Sequence, residues 1–246
     1  MRIPILLTLL AAAQPAFAGQ KATYVDDGGK TILIEVTDSG DARIAPSTPD
    51  QYGVLRDGQF YLVSKEEGKW KVARIEDVAA ALDQVLPPIF KTLFGAAAKA
   101  KPTAMHMEPK GTRTIAGYSG KVFVVHTSDD KKGDPPSEVV LSEDPSLQPV
   151  GRAMGGFLTS TMLLMAPFLG DAAADMIRDT QTVLSHGAPL DIRGKFRLTS
   201  VTAAEVPASA VELPARPQSV SEIVAALKAS SVPGISATSS PPEGAN

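Results

Sequence analysis

The side chains best suited to chemistry are few and far apart. The chain has three histidines, His106, His126 and His186, and no cysteine. None of the histidines has a partner at HxH, HxxxH or HxxE spacing. Zinc needs three or four convergent ligands, and the linear pattern assembles none. Met105-His106-Met107 offers thioethers and an imidazole, a set that suits Cu(I) in an exported protein. On a strand, however, the two methionines share one face and His106 points the other way. The segment therefore reads as a strand with two core methionines. Catalytic signatures are absent too. No G-x-S-x-G elbow occurs, and Gly117-Tyr118-Ser119-Gly120 has the wrong spacing for one. The acidic pairs Asp26-Asp27, Glu66-Glu67 and Asp129-Asp130 sit at turn signals, where carboxylates are solvated. Neither a phosphate loop nor a dinucleotide fingerprint is present. The expectation is a protein that is not an enzyme, with no metal site and no cofactor.

The chemistry that remains is apolar binding. Ala153–Gly170 carries no charge and lies between Arg152 and Asp171. It contains Phe157, Leu158, Met162, Leu163, Leu164, Met165, Phe168 and Leu169. Unbranched methionines adapt to irregular ligands, so one reading is a pliable lid over an acyl-binding hollow. A second is a helix pair that fills the concavity of a sheet. A third is a membrane span, which Gly155-Gly156, Thr159, Ser160, Thr161 and Pro167 dilute. Phe90, Leu93 and Phe94 form a matching apolar group upstream.

These side chains need elements to place them. Ile32, Ile34 and Val36 alternate with Thr31, Leu33 and Glu35, the period of a strand with one apolar face. Turn signals recur at Asp27-Gly28-Gly29, Asp38–Asp41, Asp57-Gly58 and Glu67-Gly68. Asp57-Gly58 between two β-prone runs is a strong two-residue hairpin signal. The pattern predicts five antiparallel strands between Lys21 and Arg74. Val78, Leu82, Val85 and Leu86 then fall at helical spacing, and Pro87-Pro88 breaks that helix. A second helical piece runs toward Lys101. Strands are predicted at Ala104–Pro109, Arg113–Ile115, Lys121–Ser128 and Ser137–Ser142. After the apolar stretch and a helix over Ala172–Ser185, a hairpin turns about Arg193-Gly194 between Pro189–Ile192 and Lys195–Glu205. Ser219 and Glu222 make a capping box before a short helix that ends at Lys228. The tail, Ala229–Asn246, is Ser, Pro, Gly and Ala without aromatics, a disorder signature.

The start of the chain speaks to location. Arg2, the apolar run Ile3–Ala13 and Ala16-Phe17-Ala18 make a secretory signal peptide with cleavage after Ala18. The run is too short for a stable membrane anchor. Without cysteine an exported chain has no disulfide and no site for N-terminal lipid. The reading is a periplasmic or secreted protein. A formal net charge of −3, with basic residues scattered singly or in pairs, excludes nothing but favours no nucleic acid.

Three stretches carry a family resemblance. Thr114–Phe123 resembles an "I-x-G-Y-x-C-x-x-Y/F" strand pair. Val139–Pro145 is similar to a strand that runs into a helix. Ser200-Val201 followed by Val206–Pro214 looks like a closing strand with an "F-x-L-P" ending. Together they resemble a bacterial family of secreted proteins of unknown function within the outer-membrane lipoprotein carrier (LolA-like) superfamily. Gly120 stands where those relatives often have cysteine. The resemblance implies an unclosed β-barrel with helices in the hollow. It also implies acyl chains held between sheet and helices.

The expected architecture is therefore α+β, with a curved antiparallel sheet (an unclosed β-barrel) and helices packed in its concave face. The domain layout is a signal peptide over 1–18, one lipoprotein-carrier-like domain over 19–228 and a disordered tail over 229–246. The expected function is a periplasmic, non-enzymatic protein that binds a lipid or acyl ligand between sheet and helices. The expected ligand residues are Phe90, Leu93, Phe94, Phe157, Leu158, Met162, Met165 and Phe168. The alternative is a structural or protein-interaction module of the cell envelope with a self-filled core. Its partner, an envelope protein, would dock on the sheet edge or the tail.

Overall fold

The computed structural model describes residues 19–46, 48, 50–87, 105–126 and 137–230. The signal segment, Phe90, Leu93 and Phe94, the second helical piece after Pro88 and residues 231–246 lie outside them. Among these residues six strands precede the first helix: β1 (Gln20–Asp26), β2 (Thr31–Val36), β3 (Ala42–Pro46), β4 (Gln51–Arg56), β5 (Gln59–Glu66) and β6 (Lys69–Arg74). Five follow it: β7 (His106–Ile115), β8 (Tyr118–His126), β9 (Ser137–Ser142), β10 (Ala188–Ile192) and β11 (Phe196–Ala203). All belong to one sheet in the order β6-β5-β4-β3-β2-β1-β11-β10-β9-β8-β7. Its neighbouring strands are antiparallel. β6 and β7 remain as the two edges, so the sheet is not closed into a barrel. The expected α+β class with an open antiparallel sheet is what forms.

Local chemistry explains the ladder. Asp57 (φ 52°) and Gly58 (φ 74°) join β4 to β5 through the two left-handed positions that a tight hairpin requires. Ala116 (φ 51°) and Gly117 (φ 85°) do the same between β7 and β8, with an alanine in a conformation L-residues disfavour. Two expectations need correction. The first third holds six strands rather than five, because Ala42–Pro46 forms a strand of its own, β3, paired to both β2 and β4. The two fragments expected at Ala104–Pro109 and Arg113–Ile115 are one strand, β7. A register shift between Pro109 and Gly111 absorbs the proline, and pairing to β8 resumes beyond it.

Among the described residues the helices are α1 (Ile75–Val85), α2 (Gln148–Leu164), the short α3 (Ala166–Leu169), α4 (Asp171–Leu184) and α5 (Val220–Ser230). α2 packs against β1 to β5 and also against β10, on the far side of the β1–β11 seam. The sheet thus bends around this helix, as accumulated twist favours. The main core gathers Tyr24, Ile34, Ile44 and Leu190 from the sheet with Val150 and Met154 from α2. The chain after β11 does not extend the sheet at Val206–Pro214. It crosses the other face through a 3-10 turn over Ala208–Val211, and Val211 packs on Val54, Val63 and Val72. It then meets the edge strand β6, where Gln218 donates to the Val72 carbonyl at 2.8 Å. The capping box forms as predicted: Ser219 N–H donates to Glu222 at 2.8 Å, and Glu222 N–H to Ser219 Oγ at 3.3 Å. The helix it starts is longer than expected and takes in Ala229 and Ser230.

Candidate ligand-binding cleft

The α2–α4 hairpin is built from the 3-10 turn Pro145–Leu147 onward. Asp144 caps that turn, accepting from Ser146 N–H at 2.9 Å and Ser146 Oγ at 2.7 Å. These bonds hold the Asp144 carboxyl below its ordinary range. Pro149, with no N–H to satisfy, suits the first turn of α2. The helix then buries Val150, Ala153 and Met154 against the sheet. Phe157 sits one turn further along the same face. Its ring stands 6.4 Å from those of Phe60 and Phe196, so it belongs to the core.

Leu158 and Met162 occupy the next face of α2 and open onto a cleft of about 430 Å³. Met176, Val183 and Leu184 of α4 form the opposite wall. Thr180 Oγ1 donates to the Met162 sulfur at 3.2 Å and ties the two walls together. The sheet supplies the floor through Val139, Leu141, Ile192 and Phe196, and Met105 closes the end next to β7. Three methionines thus line one apolar space, a lining that tolerates ligands of varied shape. The size lies within the range of small-molecule sites.

Charge is confined to the rim, at Asp179, Arg193 and Lys195. The β10–β11 turn places the two cations. Arg193 N–H donates to the Glu138 carbonyl at 2.8 Å, and Gly194 N–H to Asp191 Oδ1 at 2.9 Å. Lys195 is paired with Asp27. That hydrogen bond and the accompanying attraction lower the Asp27 carboxyl and raise the Lys195 ammonium.

The structure brings two of the expected ligand residues, Leu158 and Met162, to this cleft. Phe157 faces the core. Met165, 46% exposed, lies at the α2–α3 junction, and Phe168 is half-buried in α3. Neither lines the cleft. Met105, Met176, Ile192 and Phe196 were not singled out as ligand residues. Met105 and Met176 carried a legible signal, the first as a core methionine of a predicted strand and the second as a large apolar side chain on a charged helix. A second, more polar cleft of about 650 Å³ lies along another flank of the same helix pair. Among the described residues no helix is long and apolar enough to cross a membrane, and no three His, Asp or Glu side chains gather as a metal site. Met105 and Met107 pack inward with Phe123 and Val125 while His106 is exposed, as strand alternation requires.

No protein-family model matches the chain. No curated protein matches it. Solved structures of MucB are similar to it at a distance. A crystal structure of MucB shares 15% identity at a TM-score of 0.35, covering 83% of this chain and 60% of that one. MucB in complex with MucA(peri) gives 15% identity and a TM-score of 0.30, with 83% and 56% covered. The Pseudomonas aeruginosa MucA/MucB complex gives 15% identity and 0.31, with 82% and 57%. The chain spans less than two thirds of the length of these proteins.

Proposed function

We propose that this chain is an exported, non-catalytic binding protein of the periplasm that shelters the hydrocarbon part of a lipid or acylated ligand. The observation that carries this reading is the methionine-lined cleft between α2, α4 and strands β9 to β11, apolar within and charged only at its rim. Burial of hydrocarbon there would contribute about 0.8 kcal/mol per methylene. The ligand residues are Leu158, Met162, Met176 and Phe196, with Phe157 as the packed support behind them. The test is native mass spectrometry of protein purified without detergent, followed by titration with a fluorescent dodecyl-chain probe. Wild type should take up the probe at one equivalent, and Leu158→Trp, which fills the cleft, should weaken uptake by about tenfold or more. A ligand-free protein that takes up no probe would sink the proposal.

A second reading, an interaction module for an envelope protein, has one observation in its favour. Under the first half of α2 the hollow is filled by the protein's own Met154, Phe157 and Phe60. A defined partner that binds with the cleft blocked by Leu158→Trp would support that reading over the first.

A further inference from the structure

We infer that the ligand is an amphiphile with an anionic head, and that the head is held in the polar cleft beside the apolar one; this rests on the acyl-binding reading above. The two clefts flank the same helix pair, and Leu184 lines both. It is their common wall. Its Cδ1 lies 3.3 Å from where a Cβ on Gly155 would stand, so α4 rests there on bare α2 backbone. Leu184 closes the way between the clefts, so a molecule with its chain among Met162, Met176 and Phe196 enters the second only when that one side chain turns aside.

The polar cleft, about 650 Å³, is large enough for a head group. Most hydroxyls around it are already committed. Thr159 Oγ1 donates to the Gly155 carbonyl at 2.9 Å, Ser185 Oγ to the Thr182 carbonyl at 2.7 Å, and Ser142 Oγ to the Ser119 carbonyl at 2.8 Å. Gln148, Arg152 and Gln181 are different. Their side chains make no hydrogen bond or ion pair among the described residues. The charges also sort by sign. Glu143, the carboxylate of the lining, is paired with Lys121 at 2.7 Å. Arg152 is left as the unpaired charge of the lining, which it shares with the two amides, and its Nη2 lies 3.6 Å from where a Cβ on Gly40 of the β2–β3 turn would stand. A guanidinium of this kind recognises phosphate or carboxylate oxygens, often through two parallel bonds. The apolar cleft's own rim is a poorer anion site, because Asp179 faces it and Lys195 is already paired with Asp27.

The experiment uses the full mature chain and three probes with the same dodecyl chain, each below its micelle concentration: dodecyl phosphate, dodecyl maltoside and dodecyltrimethylammonium. Inorganic phosphate is titrated alongside. Dodecyl phosphate should bind about tenfold or more tighter than the other two, with inorganic phosphate failing to displace it. Arg152→Gln should remove that preference while leaving maltoside binding unchanged. Equal affinity for all three probes, or a preference for the cation, would overturn the head-group assignment and leave the acyl cleft standing. Loss of the preference in Arg193→Gln instead of Arg152→Gln would place the head at the opposite rim and overturn it as well. Displacement by inorganic phosphate alone would reduce the site to one for a free anion. Failure of every dodecyl probe would instead remove the acyl-binding reading beneath it.

Discussion

The Tyr24 hydroxyl donates a 2.8 Å hydrogen bond to the Pro189 carbonyl, 165 residues away. Tyr24 lies in β1 and Pro189 in β10, and β11 runs between them. The bond therefore crosses the seam where the two halves of the sheet meet. Tyr24 is 1% exposed, and burial pushes its phenol well above the ordinary tyrosine range. Removing the hydroxyl strands a buried carbonyl. Tyr24→Phe should destabilise the fold by about 1–2 kcal/mol, read as a lower urea midpoint at unchanged slope.

The same phenol makes stability sensitive to alkali. Its folded-state pKa is raised above the ordinary 10.0, so its contribution is complete below that value. As pH climbs past it the unfolded chain ionises first, and the contribution is lost. Urea midpoints of wild type should fall more steeply above pH 10 than those of Tyr24→Phe; parallel curves would refute this.

At the other end of the scale, Glu222 is pulled down to about 2 by Arg216, with Ser219 assisting. Its support for the start of α5 is present above the ordinary carboxylate range and disappears as pH falls toward that value. Glu222→Gln should leave an acid-unfolding curve with a shallower dependence below pH 4.5, measured by circular dichroism.

Gly120 stands where the secreted family that Thr114–Phe123 resembles often has cysteine. A Cβ there would stand 2.7 Å from Val140 Cγ1, 2.9 Å from Leu190 Cδ1 and 3.2 Å from the Leu141 carbonyl. Gly120→Cys should therefore destabilise by about 1–3 kcal/mol through overpacking. A variant as stable as wild type would show that β8 and β10 can move apart at little cost.

Phe157 and Met162 are less than two turns apart on α2 but should respond in opposite ways. Phe157→Ala opens the core between Phe60 and Phe196 and should cost about 3 kcal/mol of stability. Met162→Ala enlarges a space that is already open, so its main effect should be on probe affinity. Thermal melts and dodecyl-probe titrations on the pair separate the two roles.

Much of this molecule is local in origin. Alternation in Thr31–Val36 marks an inner and an outer face, Asp57-Gly58 tolerates the backbone angles of a hairpin, and Ser219 with Glu222 starts a helix wherever it is placed. Each depends on residues within a few positions of one another, so each is legible along the chain. The apolar character of Ala153–Gly170 is legible for the same reason. Its division of labour is not: Phe157 fills the core while Leu158 faces the cleft, and only the angle at which α2 crosses the sheet separates them. The floor of the cleft, from Val139 to Phe196, depends on β11 pairing with β1 across most of the chain. Period-two patterns say which side of a strand is greasy, but any such strand can pair with several others. Curvature around α2 and the buried Tyr24–Pro189 contact select one pairing, and that selection exists only in three dimensions.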